Sequence, residues 1–202
     1  MNFQLFSCLS LDKKIEYLFD NDYKYIAEGT GRAVFNFNKD CVIKISKNEN
    51  GTDQNRTECK VKSEICAKVY KRCDNYSWLL MEKTRNISKN SFDRLIGNKL
   101  EHRFLYFDYI YYKNVGYNKM ARQHEVGLTK NVVDFMDRSP ITPFVKQLIK
   151  RYKLAGSDIG HSGSWGLNSN NELRLIDYGM NHETFVKHFK DRNEKKLNIK
   201  FE

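Results

Sequence analysis

Lys44 and Asp177 have the settings best suited to chemistry on a phosphate chain. Lys44 lies in Val42-Ile43-Lys44-Ile45, a strand-like run that follows Gly29-Thr30-Gly31-Arg32-Ala33-Val34-Phe35. A glycine-rich turn between strands brings backbone N–H groups close to phosphate oxygens, and a lysine on the next strand can pair with the same phosphates. A plain hairpin also needs glycine, and strand lysines also occur as solvated edge residues. Asp177 ends the apolar run Leu173-Arg174-Leu175-Ile176 and is followed by Tyr178 and Gly179. A carboxylate fixed at a strand end, with glycine letting the chain turn away, is a place for a divalent metal. Asp and Gly end strands without any ligand as well. Upstream, Asp158-Ile159-Gly160-His161-Ser162-Gly163-Ser164-Trp165-Gly166 is a polar, glycine-rich loop.

The elements that must position these residues show in the pattern. Leu11, Ile15, Leu18 and Phe19 share one helical face after Ser10, a candidate N-cap. The period then changes, and runs at 23–27, 32–37 and 41–46 read as three antiparallel strands joined by short turns. A polar loop containing Gly51 precedes a helix over 54–65, and two more strands are expected at 67–73 and 76–82 around Asp74-Asn75. After Lys83 the character is helical, with stretches at 92–96, 100–112, 119–125, 132–136 and 142–154; Pro143 falls in the first turn of the last. The aromatic run 106–112 suits a buried helix or a strand and reads as core.

Composition bounds the function. At 202 residues the chain suits one domain or two small lobes, and 40% hydrophobic with 13% aromatic residues excludes general disorder. No apolar run is long enough to cross a bilayer, and the start lacks the pattern of a signal peptide, so a cytoplasmic location is expected. Five scattered cysteines without a CxxC pair point to reduced thiols. A net charge of +10 attracts polyanions, yet the basic runs 68–72, 146–153 and 187–200 alternate with apolar or acidic residues as solvated faces do.

In this order the parts resemble the protein-kinase-like fold over nearly the whole chain. Gly29 and Gly31 fall in the glycine loop, Lys44 in the Val-Ala-Ile-Lys position, Glu58 on the helix that supplies the lysine's partner, and Asp177-Tyr178-Gly179 on Asp-Phe-Gly. Trp78-Leu79-Leu80-Met81-Glu82 resembles the strand running into the adenine-contacting hinge. The likeness extends to small kinase-like proteins of bacteriophages, with their Gly…Arg-x-Val-Phe opening and Trp-Gly…Ile-Asp-Tyr-Gly close. It implies an α+β, bilobal fold: residues 1–83 as a lobe with an antiparallel five-stranded sheet and one helix, residues 84–202 as a reduced, mostly helical lobe truncated after the Asp-Phe-Gly-like motif. It also implies ATP with Mg²⁺ or Mn²⁺ between the lobes. Gly29, Gly31, Arg32 and Lys44 would then meet phosphates, Glu58 would orient Lys44, Met81 and Glu82 would border adenine, and Asp177 would hold the metal.

The departures concern catalysis. The third loop glycine is replaced by Val34, and Ser164 stands where the second metal ligand, an Asn, is expected. Asp158 falls one place early for the catalytic base, unless a bulge at Gly160 restores it, and His161 is the other candidate. Residues 180–202 carry no Ala-Pro-Glu and leave no room for a peptide-binding subdomain. The resemblance therefore implies a phosphotransferase acting on a host protein or small acceptor, in the host cytoplasm if phage-encoded. A pseudokinase that works as an interaction module on an acidic host protein is the first alternative. A basic nucleic-acid-binding protein is the second.

Overall fold

The computed structural model describes residues 1–197; the end of the basic run 187–200 lies outside them. The chain opens with two short helices, α1 (Phe3–Cys8) and α2 (Leu11–Asp20). Asn2 caps the first through Gln4 N and Leu5 N, and Ser10 caps the second through Lys13 N. Strands β1 (Tyr25–Glu28), β2 (Arg32–Asn36) and β3 (Cys41–Ser46) follow as the period-2 pattern predicts. Helix α3 (Glu49–Lys60) crosses to β4 (Val69–Arg72) and β5 (Trp78–Glu82). The five strands form an antiparallel sheet in the order β1-β2-β3-β5-β4.

Strand alternation divides the two faces of this sheet. Ala33, Phe35, Ile43, Ile45, Trp78 and Leu80 turn to one side and pack with Phe6 of α1 and Leu18 of α2. The Trp78 indole donates to Ser7 Oγ at 3.1 Å, which pins α1 to the sheet. The intervening residues, Val34 opposite Lys44 and Val42 opposite Met81, belong to the other face. Burial on the first face thus fixes which side chains reach the second.

Helix α3 begins earlier than expected. Asn48 caps it by accepting from Gly51 N, so Gly51 lies in its first turn and not in a loop. Close approach explains the glycine: a Cβ on Gly51 would stand 1.9 Å from the carbonyl oxygen of Gly31. The helix also stops at Lys60, short of Ile65.

The chain leaves the first sheet at Glu82 and enters a second, of three antiparallel strands: β6 (Arg85–Asn86), β7 (Trp165–Leu167) and β8 (Leu173–Leu175), in the order β6-β7-β8. Between β6 and β7 run α4 (Lys89–Ile96), α5 (Leu100–Val115), α6 (Asn118–Glu125), α7 (Lys130–Arg138), α8 (Thr142–Tyr152) and the one-turn α9 (Gly156–Gly160), followed by a 3₁₀ turn at Ser162–Ser164. The aromatic run is part of α5, with Tyr106, Phe107 and Tyr111 buried on one side. After β8 come α10 (His182–His188) and α11 (Lys190–Leu197). The molecule is an α+β protein with two lobes, as the resemblance implied. One apolar core serves both: Leu79 and Met81 of the first sheet join Phe107, Leu148, Trp165 and Leu175 in a single cluster. Among the described residues, no helix is long and apolar enough to cross a membrane.

Candidate functional site

Lys44 is buried, and its ammonium sits between the Glu58 carboxylate, 2.9 and 3.0 Å from its two oxygens, and the carbonyl oxygen of Ile176 at 2.6 Å. A strand residue and a helix residue fourteen positions apart are therefore paired across the first lobe, as the resemblance implied. Arg32 adds a second cation. Its NH1 lies 2.8 Å from Glu58 Oε1 and its NH2 donates to Asp177 Oδ1 at 2.5 Å. Tyr178 N leans on Glu58 as well, at 3.4 Å. Burial works against the Arg32 charge, but Glu58 and then Asp177 outweigh it, so the guanidinium is held charged. Burial lowers the Lys44 pKa, with Glu58 opposing and Arg32 adding to the fall. Enclosure would raise Asp177, yet Arg32 and then Lys44 pull it below the usual carboxylate range. Its side chain is still 60% exposed, because it opens onto a cleft.

That cleft, of about 820 Å³, lies between the five-stranded sheet and the helical lobe. Val34, Val42, Met81, Ile87 and Ile176 give it an apolar slot, while Gly29, Gly31, Arg32, Lys44 and Asp177 line its polar part. Glu82 also borders it, but its carboxylate is engaged by Lys68 N and by Asn168 Nδ2, both at 3.1 Å. Phe185 and Phe189, beyond β8, close a third side.

Asp158 lines the cleft from α9. A one-turn helix leaves its last carbonyls without internal partners, and here each finds a side chain. Ser164 Oγ donates to Asp158 O at 2.6 Å, Trp165 Nε1 to Ile159 O at 2.8 Å, and Arg103 Nε to Gly160 O at 2.7 Å. At the other end, the Ser157 N–H donates to the Asp108 carboxyl of α5. Asp158 is raised to about 7, first by burial and then by the charge of Asp177. His161 points away: its ring is exposed and meets Phe104 edge-on at 4.8 Å, outside the cleft lining.

No protein-family model and no curated protein sequence matches the chain. Among solved structures it is similar to aminoglycoside phosphotransferase APH(2'')-Ib bound to ADP, at 14% identity and a TM-score of 0.40, over 85% of this chain and 71% of that one. It is similar also to the streptomycin–ATP ternary complex of APH(2'')-IIa, at 12% identity and a TM-score of 0.38, over the same shares of 85% and 71%. These likenesses lie in the course of the chain alone.

The donor set does not fit a resident divalent cation. Mg²⁺ needs oxygens at near-octahedral geometry. The Asp177 carboxylate already holds Arg32, and Ser164 spends its hydroxyl on the Asp158 carbonyl, in a buried position outside the cleft lining. Among the described residues, no group of three or more His, Cys, Asp or Glu side chains is arranged to hold a metal.

Sequence reasoning placed Arg32 near phosphate but missed its bridge from Glu58 to Asp177. It also missed Arg103 and Asp108, which grip the Asp158 segment from α5. One signal existed for Arg103: it falls three and four positions before the buried Tyr106 and Phe107, so it is a charge on an apolar helical face.

Proposed function

We propose that this protein binds an adenine nucleotide in the interlobe cleft, base in the apolar slot and phosphates toward Lys44. The buried Lys44–Glu58 pair beneath the glycine turn carries this reading. A lysine kept charged in a buried site needs an anion, and Glu58 supplies one that also aims the ammonium at the cleft. Phosphoryl transfer to a hydroxyl acceptor is the chemistry this arrangement suits. Asp158, held near neutrality, would take the acceptor's proton, and the carbonyl contacts of α9 would hold it in place. Lys44 would draw charge from the phosphate chain as the bond to the leaving group lengthens. The Phe185–Phe189 wall favours a small acceptor over a peptide laid across the surface. ATP or ADP at about 100 times its Kd should add about 2.7 kcal/mol of stability, a melting shift of roughly 5–10 °C for a chain of this size. No shift with either nucleotide at millimolar concentration in wild type, or an equal shift in the Lys44→Met control, would defeat the reading.

A second reading, nucleotide binding without turnover, is favoured by the engagement of Asp177 with Arg32 and of Ser164 with Asp158. Thermal stabilisation by ATP with no release of ADP or phosphate over hours would select it. The resemblance's further implications, a phage source and a host-protein partner, stay attached to either reading.

A further inference from the structure

Arg32 is the first residue of β2 and follows the glycine turn directly, so its guanidinium enters the cleft where phosphates would lie. It is 7% exposed. One terminal nitrogen, NH2, is fixed on Asp177. The other, NH1, lies 2.8 Å from Glu58 Oε1 in a buried ion pair, which needs only one of its two N–H groups. A guanidinium carries five N–H donors and does not deprotonate, which leaves Arg32 with donors to give after Asp177 is served. In this geometry a cation already bridges from the strand-end carboxylate toward the phosphate position, the task a divalent ion performs elsewhere. We propose that Arg32 takes the place of that ion, so that the cleft binds nucleoside di- and triphosphates without a divalent cation. The inference rests on the nucleotide reading above and adds the source of its phosphate specificity.

Three observations converge. The four charges Arg32, Lys44, Glu58 and Asp177 form a closed set of two cations and two anions, so Asp177, the carboxylate expected to hold the metal, is already neutralised by Arg32. The residue expected as a second ligand, Ser164, is committed to the backbone. With one N–H of each terminal nitrogen turned to Glu58 and Asp177, the guanidinium keeps further N–H groups, for which a phosphate oxygen is a strong, charge-assisted acceptor. Arg32 would then hold Asp177 and phosphate at once, offsetting the repulsion between them.

The test is calorimetric titration of the whole protein with adenosine, ADP and ATP, once in EDTA and once with Mg²⁺. Wild-type affinity for ADP and ATP should agree within about threefold between the two buffers. Arg32→Gln should weaken ADP binding in EDTA by about tenfold or more, leave adenosine binding unchanged, and regain ADP affinity when Mg²⁺ is supplied to the freed Asp177. Arg32→Lys, which keeps charge but loses the fork, should fall between the two. If wild type needs Mg²⁺ for ADP while adenosine binds in EDTA, the inference is overturned and the nucleotide reading stands. Unchanged ADP affinity in Arg32→Gln has the same force. Absence of binding by all three ligands in both buffers overturns both. If Arg32→Gln fails to fold, the wild-type comparison of buffers still decides.

Discussion

Asp108 and Asp158 are both raised to about 7, and burial is the first cause in each. Each value lies above the carboxylate range of an unfolded chain, so between about pH 4 and 7 the folded protein holds protons that the unfolded chain has released. The stability they contribute is complete below about pH 4 and is lost as pH rises through 7. Asp108→Asn keeps an acceptor for the Ser157 N–H and removes the charge. Its unfolding free energy should match wild type near pH 4.5 and exceed it at pH 8.5, by up to about 4 kcal/mol. His124 Nε2, 3.9 Å from Asp108, is unchanged in the comparison. An equal pH dependence in the two proteins would show that Asp108 ionises freely. Asp158 has a different consequence, because it faces the cleft. If the protein transfers phosphate, the rate should climb with pH through about 7, and Asp158→Asn should lower it by roughly 10²–10⁴-fold while ADP binding holds. Binding lost together with rate would instead make Asp158 part of the nucleotide site.

At the scale of elements, α3 decides where Glu58 stands, and Gly51 decides where α3 stands. A Cβ at Gly51 would collide with the backbone of Gly31, which no rotamer can relieve. Gly51→Ala should therefore cost about 1–3 kcal/mol and weaken nucleotide binding, because the glycine turn and α3 must move apart. A melting temperature within a degree of wild type would show that the contact is slack. Trp165→Phe probes α9 in the same way: it keeps the apolar bulk and strips the donor from Ile159 O, at a cost of about 1–3 kcal/mol. These two elements also mark what the sequence could and could not reveal. The strands were legible because Phe35, Ile43 and Ile45 alternate with polar or cleft-facing residues, and the pairing of Lys44 with Glu58 was legible through the resemblance to the kinase-like fold. The start of α3 was not. Asn50, Gly51 and Asp53 read as a loop by composition, yet all are buried in a helix by tertiary contacts that leave no local trace. Helix α9 was hidden for the same reason, being one turn long and held by side chains from α5, β7 and the 3₁₀ turn. Arg103 and Asp108 grip it from far away in sequence, through Gly160 and Ser157.

Across the whole molecule, the segment beyond β8 returns to the first lobe. On α10, the Lys187 ammonium and His188 Nε2 both lie 2.9 Å from Asp53 Oδ2 of α3. Phe185 and Phe189 of the same segment line the cleft, so this strap both ties the lobes and walls one side of the cleft. Asp53→Ala should lower the melting temperature by roughly 2–8 °C and speed release of bound nucleotide. A stable variant with unchanged release would mean that the strap is held by its aromatic contacts. The apolar core has a wider reach, since Leu79 and Met81 share one cluster with Phe107, Leu148 and Leu175. Two lobes joined through a common interior have no plane along which one can melt first. Calorimetry should then show a single endotherm whose van't Hoff and measured enthalpies agree. Hydrogen exchange carries the consequence further: the slowest amides of α5 and of β3 should open in the same event, and nucleotide in the cleft should slow both by the same factor although α5 lies in the other lobe.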